Sequence, residues 1–280
     1  MNSGDENLTE ITIDDNSIAN DDFEDDDIPD YEDNVEEVVG DEENENKDEE
    51  DNDMDYEDNI GLDPSKIIDK SIFQFNKHTD SVYSISIHPI NNNILLTGGG
   101  DDKAYLFQYD ISSSNNNKNN SLISCYEFIH NDTVCSVGFN FDGTLALTGG
   151  YDGQVKIWEV NTGTLKQTLE GPEDIEWAQW HNKGNAVIAG SRDGTIWMWM
   201  AHDGTCMQVF AGHEGGVSCG IFTKDGKVIC SGGDDGSVRL WAPKSGLCKH
   251  VFTGFEAHQA TVTSIDSSLD GQTIVTGKFF

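Results

Sequence analysis

The sequence predicts an all-β fold that is built from a repeated unit of short antiparallel strands. Closely related phrases recur along the chain: TGGYDGQVKIW at 148–158, AGSRDGTIWMW at 189–199 and SGGDDGSVRLW at 231–241. Their final Trp residues are 41 and 42 positions apart, a length that suits one small sheet better than a whole domain. Runs of β-branched and aromatic residues alternate with Gly-containing turns, and helical periodicity never persists.

The second repeat shows how each element follows from its residues. Residues 134–139 form a strand-type run, the pair Asp142-Gly143 is a turn signal, and residues 145–148 form a second run. A Gly-rich turn then leads to a third run at 155–160. Because so small an antiparallel sheet cannot bury both of its faces alone, each unit needs a neighbour on either side.

The repeats divide residues 66–280 into four complete units and a partial fifth. We place them at 72–128, 129–169, 170–210, 211–252 and 253–280. The first unit is longer because an Asn-rich insertion occupies 111–121, and polar low-complexity sequence of this kind is typical of an exposed loop. The fifth unit ends before its Asp and before the strand that carries Trp in three of the other units. We therefore expect an incomplete or open arrangement, from a truncated gene product or an incomplete gene model.

The negative charge of the chain is concentrated at one end. Residues 1–60 contain 28 of the 52 Asp and Glu but only one of the 16 Lys and Arg. Such a segment cannot bury enough apolar surface to offset its ordering entropy, so residues 1–65 are predicted to be a disordered acidic tail. Direct binding to nucleic acid needs clustered basic residues and is disfavoured, whereas a basic protein partner is complementary.

Four residue types recur at fixed spacing within the repeats, namely His, Ser or Thr, Asp, and Trp. The complete sets are His130, Thr148, Asp152 and Trp158, and His213, Ser231, Asp235 and Trp241. The incomplete sets are His78, Thr97 and Asp101 with Phe107 in place of Trp, and Asp193 with Trp199. This pattern and its period resemble the WD-repeat family. The resemblance covers about residues 72–277 and implies propeller blades in which these side chains form a structural hydrogen-bond relay.

The third repeat departs from the pattern. Gly171 stands where the other repeats have His, and Ala189 replaces the hydroxyl residue. Of its additional indoles, Trp180 aligns with core aromatics and is assigned to the core. Trp177 aligns with smaller residues, and two interpretations stay open. It repacks a blade that has lost its relay, or it exposes an indole as an anchor for a protein partner.

Catalytic, metal and cofactor sites receive little support. A nucleophilic triad of Ser231, His213 and Asp235 would occur once, whereas this arrangement recurs at blade spacing, so we expect no enzyme. The Asp-rich run 51–62 lacks the Gly and Glu of a calcium loop, and the Gly-rich run 98–103 leads into a strand, so no metal and no cofactor are expected. No apolar run is long enough for a membrane span, and the six Cys form no CxxC pair.

A narrower resemblance lies in the irregular stretches GGGDDKAYLF, DIEWAQWH, AGSRDGTIWMW, DGTCMQVF and GFEAHQATVT. They are similar to the angio-associated migratory cell protein family. This resemblance implies a cytoplasmic, non-catalytic propeller and leaves nuclear passage open. The fungal member of that family is a chaperone for a newly made, basic protein of the large ribosomal subunit, and its animal members are associated with cell migration.

We therefore predict a protein-binding scaffold that captures a basic ribosomal protein by electrostatic attraction. The acidic tail would raise the encounter rate with a Lys- and Arg-rich segment. Candidate contacts are Tyr151, Arg192 and Asp234, which directly precede the Asp of each relay set, together with Trp177. The alternative is a general assembly scaffold or a ubiquitin-ligase substrate adaptor, including a role in cell-migration signalling.

Overall fold

The computed structural model describes residues 8–13, 35–36, 73–110, 121–254 and 258–278, and for the first two ranges it describes the backbone alone. Within these ranges the chain forms strands and no α-helix, so the predicted all-β class is confirmed. The described residues include no helix long and apolar enough to cross a bilayer. The first two strands are β1 (Leu8–Ile13) and β2 (Val35–Glu36).

The middle of the chain forms four antiparallel sheets, each made of four consecutive strands. The first contains β3 (Val82–Ile87), β4 (Ile94–Gly99), β5 (Lys103–Asp110) and β6 (Ser121–Ile129). The second contains β7 (Val134–Phe139), β8 (Leu145–Gly150), β9 (Val155–Glu159) and β10 (Leu165–Leu169). The third contains β11 (Ile175–Trp180), β12 (Ala186–Ser191), β13 (Thr195–Met200) and β14 (Cys206–Ala211). The fourth contains β15 (Cys219–Phe222), β16 (Ile229–Gly232), β17 (Val238–Trp241) and β18 (Cys248–Phe252).

The Asn-rich insertion falls between β5 and β6. Residues 111–120 lie outside the described part of the chain, and β6 begins at Ser121, the last residue assigned to the loop from sequence. The predicted loop is therefore untested except at that residue, which is part of a strand.

The fifth sheet combines two distant parts of the chain. Its order is β19 (Val262–Ser267), β20 (Thr273–Lys278), β1 and β2, and β1 lies antiparallel to β20 with Thr9 opposite Thr276. This differs from the prediction in two ways, because part of the supposed disordered tail is strand and the fifth unit has four strands. The physical reason is local: four of the six residues of LTEITI are β-branched, which favours a strand. The rest of residues 1–65 lies outside the described ranges.

The hydrophobic core lies between neighbouring sheets. Leu96 and Phe128 of the first sheet pack with Val134 and Trp158 of the second in one buried cluster, and the Phe128 and Trp158 rings stack with centroids 4.1 Å apart. Similar clusters join the later sheets through Leu147 and Ile175, Ile188 and Val217, and Cys230 and Val262. Each fully buried aliphatic or aromatic side chain contributes about 1.5–3 kcal/mol, so sheet stacking is the main source of stability.

Two histidines at the ends of first strands also join neighbouring sheets. The Nε2 atom of His88 lies 3.0 Å from the carbonyl oxygen of Gly143, and that of His181 lies 3.1 Å from the carbonyl oxygen of Gly226. Both glycines have positive φ, 73° and 83°, and an added Cβ would overlap the imidazole. Each Nδ1 accepts backbone N–H groups, so Nε2 carries the proton and donates to the next sheet.

Candidate functional site

The second sheet contains a complete hydrogen-bond relay. The Nδ1 atom of His130 lies 3.0 Å from Asp152 Oδ1, and its Nε2 lies 2.7 Å from Thr148 Oγ1. Trp158 Nε1 donates to the same hydroxyl oxygen over 2.9 Å. Because an indole N–H can only donate, the hydroxyl oxygen accepts from Trp158, and its own O–H is placed to donate to His130 Nε2. Because a carboxylate can only accept, His130 Nδ1 carries the proton that faces Asp152.

The fourth sheet repeats this network with a Ser in place of Thr. His213 Nδ1 lies 3.1 Å from Asp235 Oδ1, and both His213 Nε2 and Trp241 Nε1 lie 2.8 Å from Ser231 Oγ. The network joins β16, β17, the turn between them and the segment before β15. Its carboxylate, hydroxyl and rings satisfy one another, which makes their burial tolerable.

Asp235 is ionised within this network. Burial alone would raise its pKa, but hydrogen bonds from the Glu214 backbone N–H, from Ser237 and from His213 outweigh burial and hold the pKa at about 2. Burial lowers the pKa of His213, and the neighbouring carboxylate opposes that effect. The directions of the two pKa shifts favour a neutral imidazole beside an ionised carboxylate.

The first and fifth sheets carry shorter versions of the relay. His78 lies 2.8 Å from Asp101 Oδ1 and 2.9 Å from Thr97 Oγ1, while Phe107 supplies no donor. In the fifth sheet, His258 Nε2 lies 2.8 Å from Thr276 Oγ1. The sequence-based set omitted this last pair, although every relay His stands four residues before the first Val of its repeat, as His258 does before Val262.

The third sheet has a different arrangement. Asp193 is exposed and accepts hydrogen bonds from Thr195, whose Oγ1 accepts from Trp197 Nε1 over 2.9 Å. The Trp197 ring covers Gly171, the position of the missing His. The prediction that Asp193 and Trp199 share a relay is therefore wrong. Trp199 is buried in the core, and Asp193 only caps its own turn.

Trp177 is a wedge between the third and fourth sheets. Its Nε1 donates to the carbonyl oxygen of Val217 over 2.9 Å. A Cβ added at Gly190 would lie 2.2 Å from Nε1, and one added at Gly220 would lie 2.3 Å from Cζ2, so the ring occupies the space on both sides. This corrects the hypothesis of an exposed partner anchor. Trp180 is 5% exposed and packs between the second and third sheets.

The arrangement around Ser231 does not suit nucleophilic catalysis. The residue is fully buried, and its hydroxyl is held by His213 and Trp241, so no substrate can reach it. Burial also raises the pKa of the Cys135 and Cys219 thiols to about 12, which disfavours the reactive thiolate. In the described part of the chain, no three His, Cys, Asp or Glu are grouped to hold a metal ion.

Three of the four predicted contact residues lie on turns at one end of the strands, namely Tyr151, Arg192 and Asp234. We call this end of the strands the relay-side face. Arg192 Nη1 lies 3.2 Å from Asp174 Oδ2, and its Nε lies 3.4 Å from Glu176 Oε1. The Asp234 backbone N–H donates to Gly216, whose added Cβ would lie 2.8 Å from the Asp234 carboxylate. Arg192 is thus paired with two carboxylates of its own blade, and Asp234 of the next blade lies nearby.

Glu176 links these residues electrostatically. Burial raises its pKa, the charge of Arg192 lowers it, and the charges of Asp234 and Asp174 raise it further. Burial and the Glu176 charge together raise the pKa of Tyr151. Sequence analysis did not single out Asp174 or Glu176, since neither occupies a repeated position. The face carries an excess of carboxylates beside tyrosine and a single guanidinium.

The WD domain, G-beta repeat family matches five consecutive segments at 69–108, 120–159, 163–200, 204–242 and 246–278. The chain belongs to the WD-repeat family. Its four-stranded sheets are the blades of that family, as the relay spacing predicted, and such repeats indicate a protein-interaction scaffold.

Curated WD-repeat relatives extend the similarity. The chain is 33% identical to the human angio-associated migratory cell protein over 209 residues, which is 75% of this chain and 46% of the relative. The dog protein of the same name gives the same identity and coverage. A mouse protein named F-box-like/WD repeat-containing protein TBL1X is 30% identical over 119 residues, 40% of this chain and 22% of that protein. The chain thus spans less than half the length of these relatives.

The WD-repeat blades should lose stability in mild acid. Burial lowers the pKa of His181, His213 and His258 below the ordinary value of about 6.5. Between the lowered pKa of these imidazoles in the folded chain and about 6.5, the unfolded chain binds protons that the folded chain does not bind. The free energy of unfolding therefore falls as the pH drops below about 6.5. Thermal unfolding midpoints between pH 8 and pH 5 check this, and His181→Gln should lessen the decline. A midpoint that stays level or rises contradicts it.

Proposed function

We propose that this WD-repeat protein is a cytoplasmic scaffold that holds a Lys- and Arg-rich protein, specifically a newly made basic protein of the large ribosomal subunit. The ribosomal client follows from the resemblance seen in the sequence. The electrostatic mechanism follows from the chain itself, whose net charge at pH 7 is −36. A strongly acidic protein attracts a basic segment over long range and disfavours nucleic acid competitors.

The relay-side face supports this proposal more than any other surface. Asp174, Glu176 and Asp234 converge there from neighbouring blades, and their one guanidinium, that of Arg192, is 67% exposed. An incoming Lys or Arg side chain would meet the same carboxylates that Arg192 contacts. Charge-assisted hydrogen bonds to carboxylates are about twice as strong as neutral ones, so this geometry favours a cationic partner.

Aromatic groups on the same face would add short-range selectivity. Tyr83 is 62% exposed, and the half-buried Tyr151 lies close enough to Glu176 for the carboxylate charge to affect its pKa. A tyrosine ring beside a carboxylate accepts the stem of a Lys or the guanidinium plane of an Arg. Polar contacts then fix the position of the partner segment on this face, which long-range attraction alone does not determine.

Reversing charges on this face should weaken binding at low salt. The variant Glu176→Lys with Asp234→Lys is expected to bind a synthetic Lys- and Arg-rich peptide about tenfold more weakly, because two attractive contacts become repulsive. The matched control is Asp203→Lys with Asp270→Lys, which makes the same change in net charge at turns on the opposite end of the strands. Its affinity should change by about twofold at most, and equal losses in both variants would refute a role for this face.

A substrate adaptor is the second candidate, favoured by the mouse relative named F-box-like/WD repeat-containing protein. In that function the blades would present a client to a ligase, and the charge of the relay-side face would select the client.

Affinity purification separates the two functions. A ligase core in the purified complex supports the adaptor, whereas a stable pairing with a free ribosomal protein supports the chaperone.

A further inference from the structure

The third blade presents a guanidinium at a turn position where the fold does not require one. In each of the first four blades, the backbone N–H of the residue before the turn Asp donates to a carbonyl oxygen at an aligned position near the start of the blade. The pairs are Gly100 with Ser81, Tyr151 with Thr133, Arg192 with Asp174 and Asp234 with Gly216, and their distances are 2.9–3.0 Å. Because Gly, Tyr and Asp make the same bond as Arg, the side chain of Arg192 is not needed to form its turn.

The ion pairs of Arg192 also have no counterpart in the other blades. Its Nη1 lies 3.2 Å from Asp174 Oδ2, and its Nε lies 3.4 Å from Glu176 Oε1. The aligned residues of the other four blades, all in the described part of the chain, include no Asp or Glu. They are Ser81, Thr133, Gly216 and Thr261 for Asp174, and Tyr83, Cys135, Ser218 and Thr263 for Glu176. Since these blades form four-stranded sheets without the ion pairs, the guanidinium and its two carboxylates are not a requirement of the blade.

The contacts of Arg192 are open to exchange with another cation. Its side chain is 67% exposed and that of Asp174 is 41% exposed, and ion pairs between exposed groups are weak. A third carboxylate lies close by, because a Cβ added at Gly216 would lie 2.8 Å from Asp234 Oδ2 and 3.4 Å from Arg192 Cα. The three carboxylates outnumber the single guanidinium, so this part of the relay-side face attracts further cations while Arg192 is in place.

We propose that Arg192 is an internal competitor for the arginine side chains of the client, which take its place at Asp174 and Glu176. This inference rests on the proposed capture of a basic protein at the relay-side face. The ligand class follows from the group that pairs with these carboxylates within the chain, which is a guanidinium held through two different nitrogen atoms. A guanidinium presents its N–H groups as a planar fork that can meet two carboxylates, whereas an ammonium is a compact and strongly hydrated point charge. A client arginine should therefore displace Arg192 more readily than a client lysine.

Competition of this kind makes the affinity for the client depend on how often Arg192 leaves the two carboxylates. A partner that binds only the vacated carboxylates has an apparent dissociation constant that is raised by the inverse of the vacated fraction. A segment with a single cation gains little, because one ion pair replaces another, whereas clustered arginines also reach the carboxylate of Asp234. The competitor thereby favours clients with several closely spaced arginines.

Removing the guanidinium should strengthen the binding of an arginine-rich peptide. We expect Arg192→Gln to bind a peptide whose only basic residues are arginines about fivefold more tightly than the wild type does, because both carboxylates are then vacant. For a lysine peptide of equal length, the gain should be about twofold at most. Arg192→Lys keeps the charge without the fork, so its affinity for the arginine peptide should fall between those of the wild type and Arg192→Gln. Fluorescence anisotropy with the full chain at low salt measures each dissociation constant.

The matched control is Lys166→Gln, which removes the same charge from an ion pair with Glu159 at the opposite end of the strands. Its affinity for either peptide should stay within about 1.5-fold of the wild type, because the freed carboxylate is distant from the relay-side face and screened. Thermal unfolding of Arg192→Gln, followed by circular dichroism, should match that of the wild type, since exposed ion pairs contribute little to stability.

The outcomes separate this inference from the proposed function. If Arg192→Gln binds the arginine peptide no more tightly than Lys166→Gln does, or more weakly than the wild type, the competitor is refuted and electrostatic capture stands. Equal gains for the two peptides overturn the selection of arginine. If the wild type and all variants bind neither peptide, the proposed function fails and the inference fails with it.

Discussion

Asp235→Asn should lower the free energy of unfolding by about 2–4 kcal/mol, while Asp193→Asn should change it by less than about 1 kcal/mol. The two residues occupy the same position of the repeat, before the third strand. Asp235 accepts hydrogen bonds from His213, from a backbone N–H before the first strand and from Ser237. Asp193 is exposed, and its carboxylate accepts hydrogen bonds from Thr195 of its own turn.

Urea unfolding of both variants and the wild type, followed by circular dichroism, provides the measurement. An amide at position 235 can accept with its oxygen but places N–H donors against donors, so part of the network is lost. Because hydrogen bonds to charged groups are each worth about 1.5–3 kcal/mol, the larger effect belongs to Asp235. Equal losses at both positions would contradict the assignment of Asp235 to a relay that Asp193 lacks.

Trp177→Ala should destabilise the protein by about 3 kcal/mol, close to the cost of other large-to-small changes at packed sites. The substitution removes the ring that lies against Gly190 and Gly220, together with the hydrogen bond to Val217. A cavity would open between the third and fourth blades, because two backbone segments cannot close over the space. The same urea titration reports the change.

Trp177→Phe is the control for this prediction. It keeps an aromatic ring between the blades but removes the indole N–H, so we expect a smaller loss of about 1 kcal/mol. Tyr83→Ala, on a side chain that is 62% exposed, should change stability by about 0.5 kcal/mol at most. If Trp177→Ala were as mild as Tyr83→Ala, the indole would be a surface group and the original anchor hypothesis would return.

Sequence reasoning located the blades because their determinants are local and repeated. The spacing from His130 to Asp152 equals that from His213 to Asp235, and a buried carboxylate requires partners at fixed positions of the same sheet. The repetition alone therefore predicts which residues meet. The same logic fails at Asp193, where the partner His is absent and an exposed turn satisfies the carboxylate instead.

Contacts between distant segments were not predictable in this way. Both interpretations of Trp177, packing within the blades and an exposed anchor, stayed open from sequence because the glycines that it contacts belong to other strands, and nothing local to DIEWAQWH specifies them. The pairing of β1 with β20 joins residues at opposite ends of the chain, and strand register across such a separation has no local sequence signal. The carboxylates around Arg192 were missed for a related reason, since Asp174 and Glu176 are irregular positions of an irregular repeat.

The most direct test of the proposed function is the dissociation constant between the full chain and a Lys- and Arg-rich peptide, measured at increasing salt. Electrostatic capture predicts tight binding at low salt and an affinity that falls steadily as salt rises, because screening weakens attraction between exposed charges. An affinity that stays the same from low to high salt would contradict electrostatic capture as the mechanism of this scaffold.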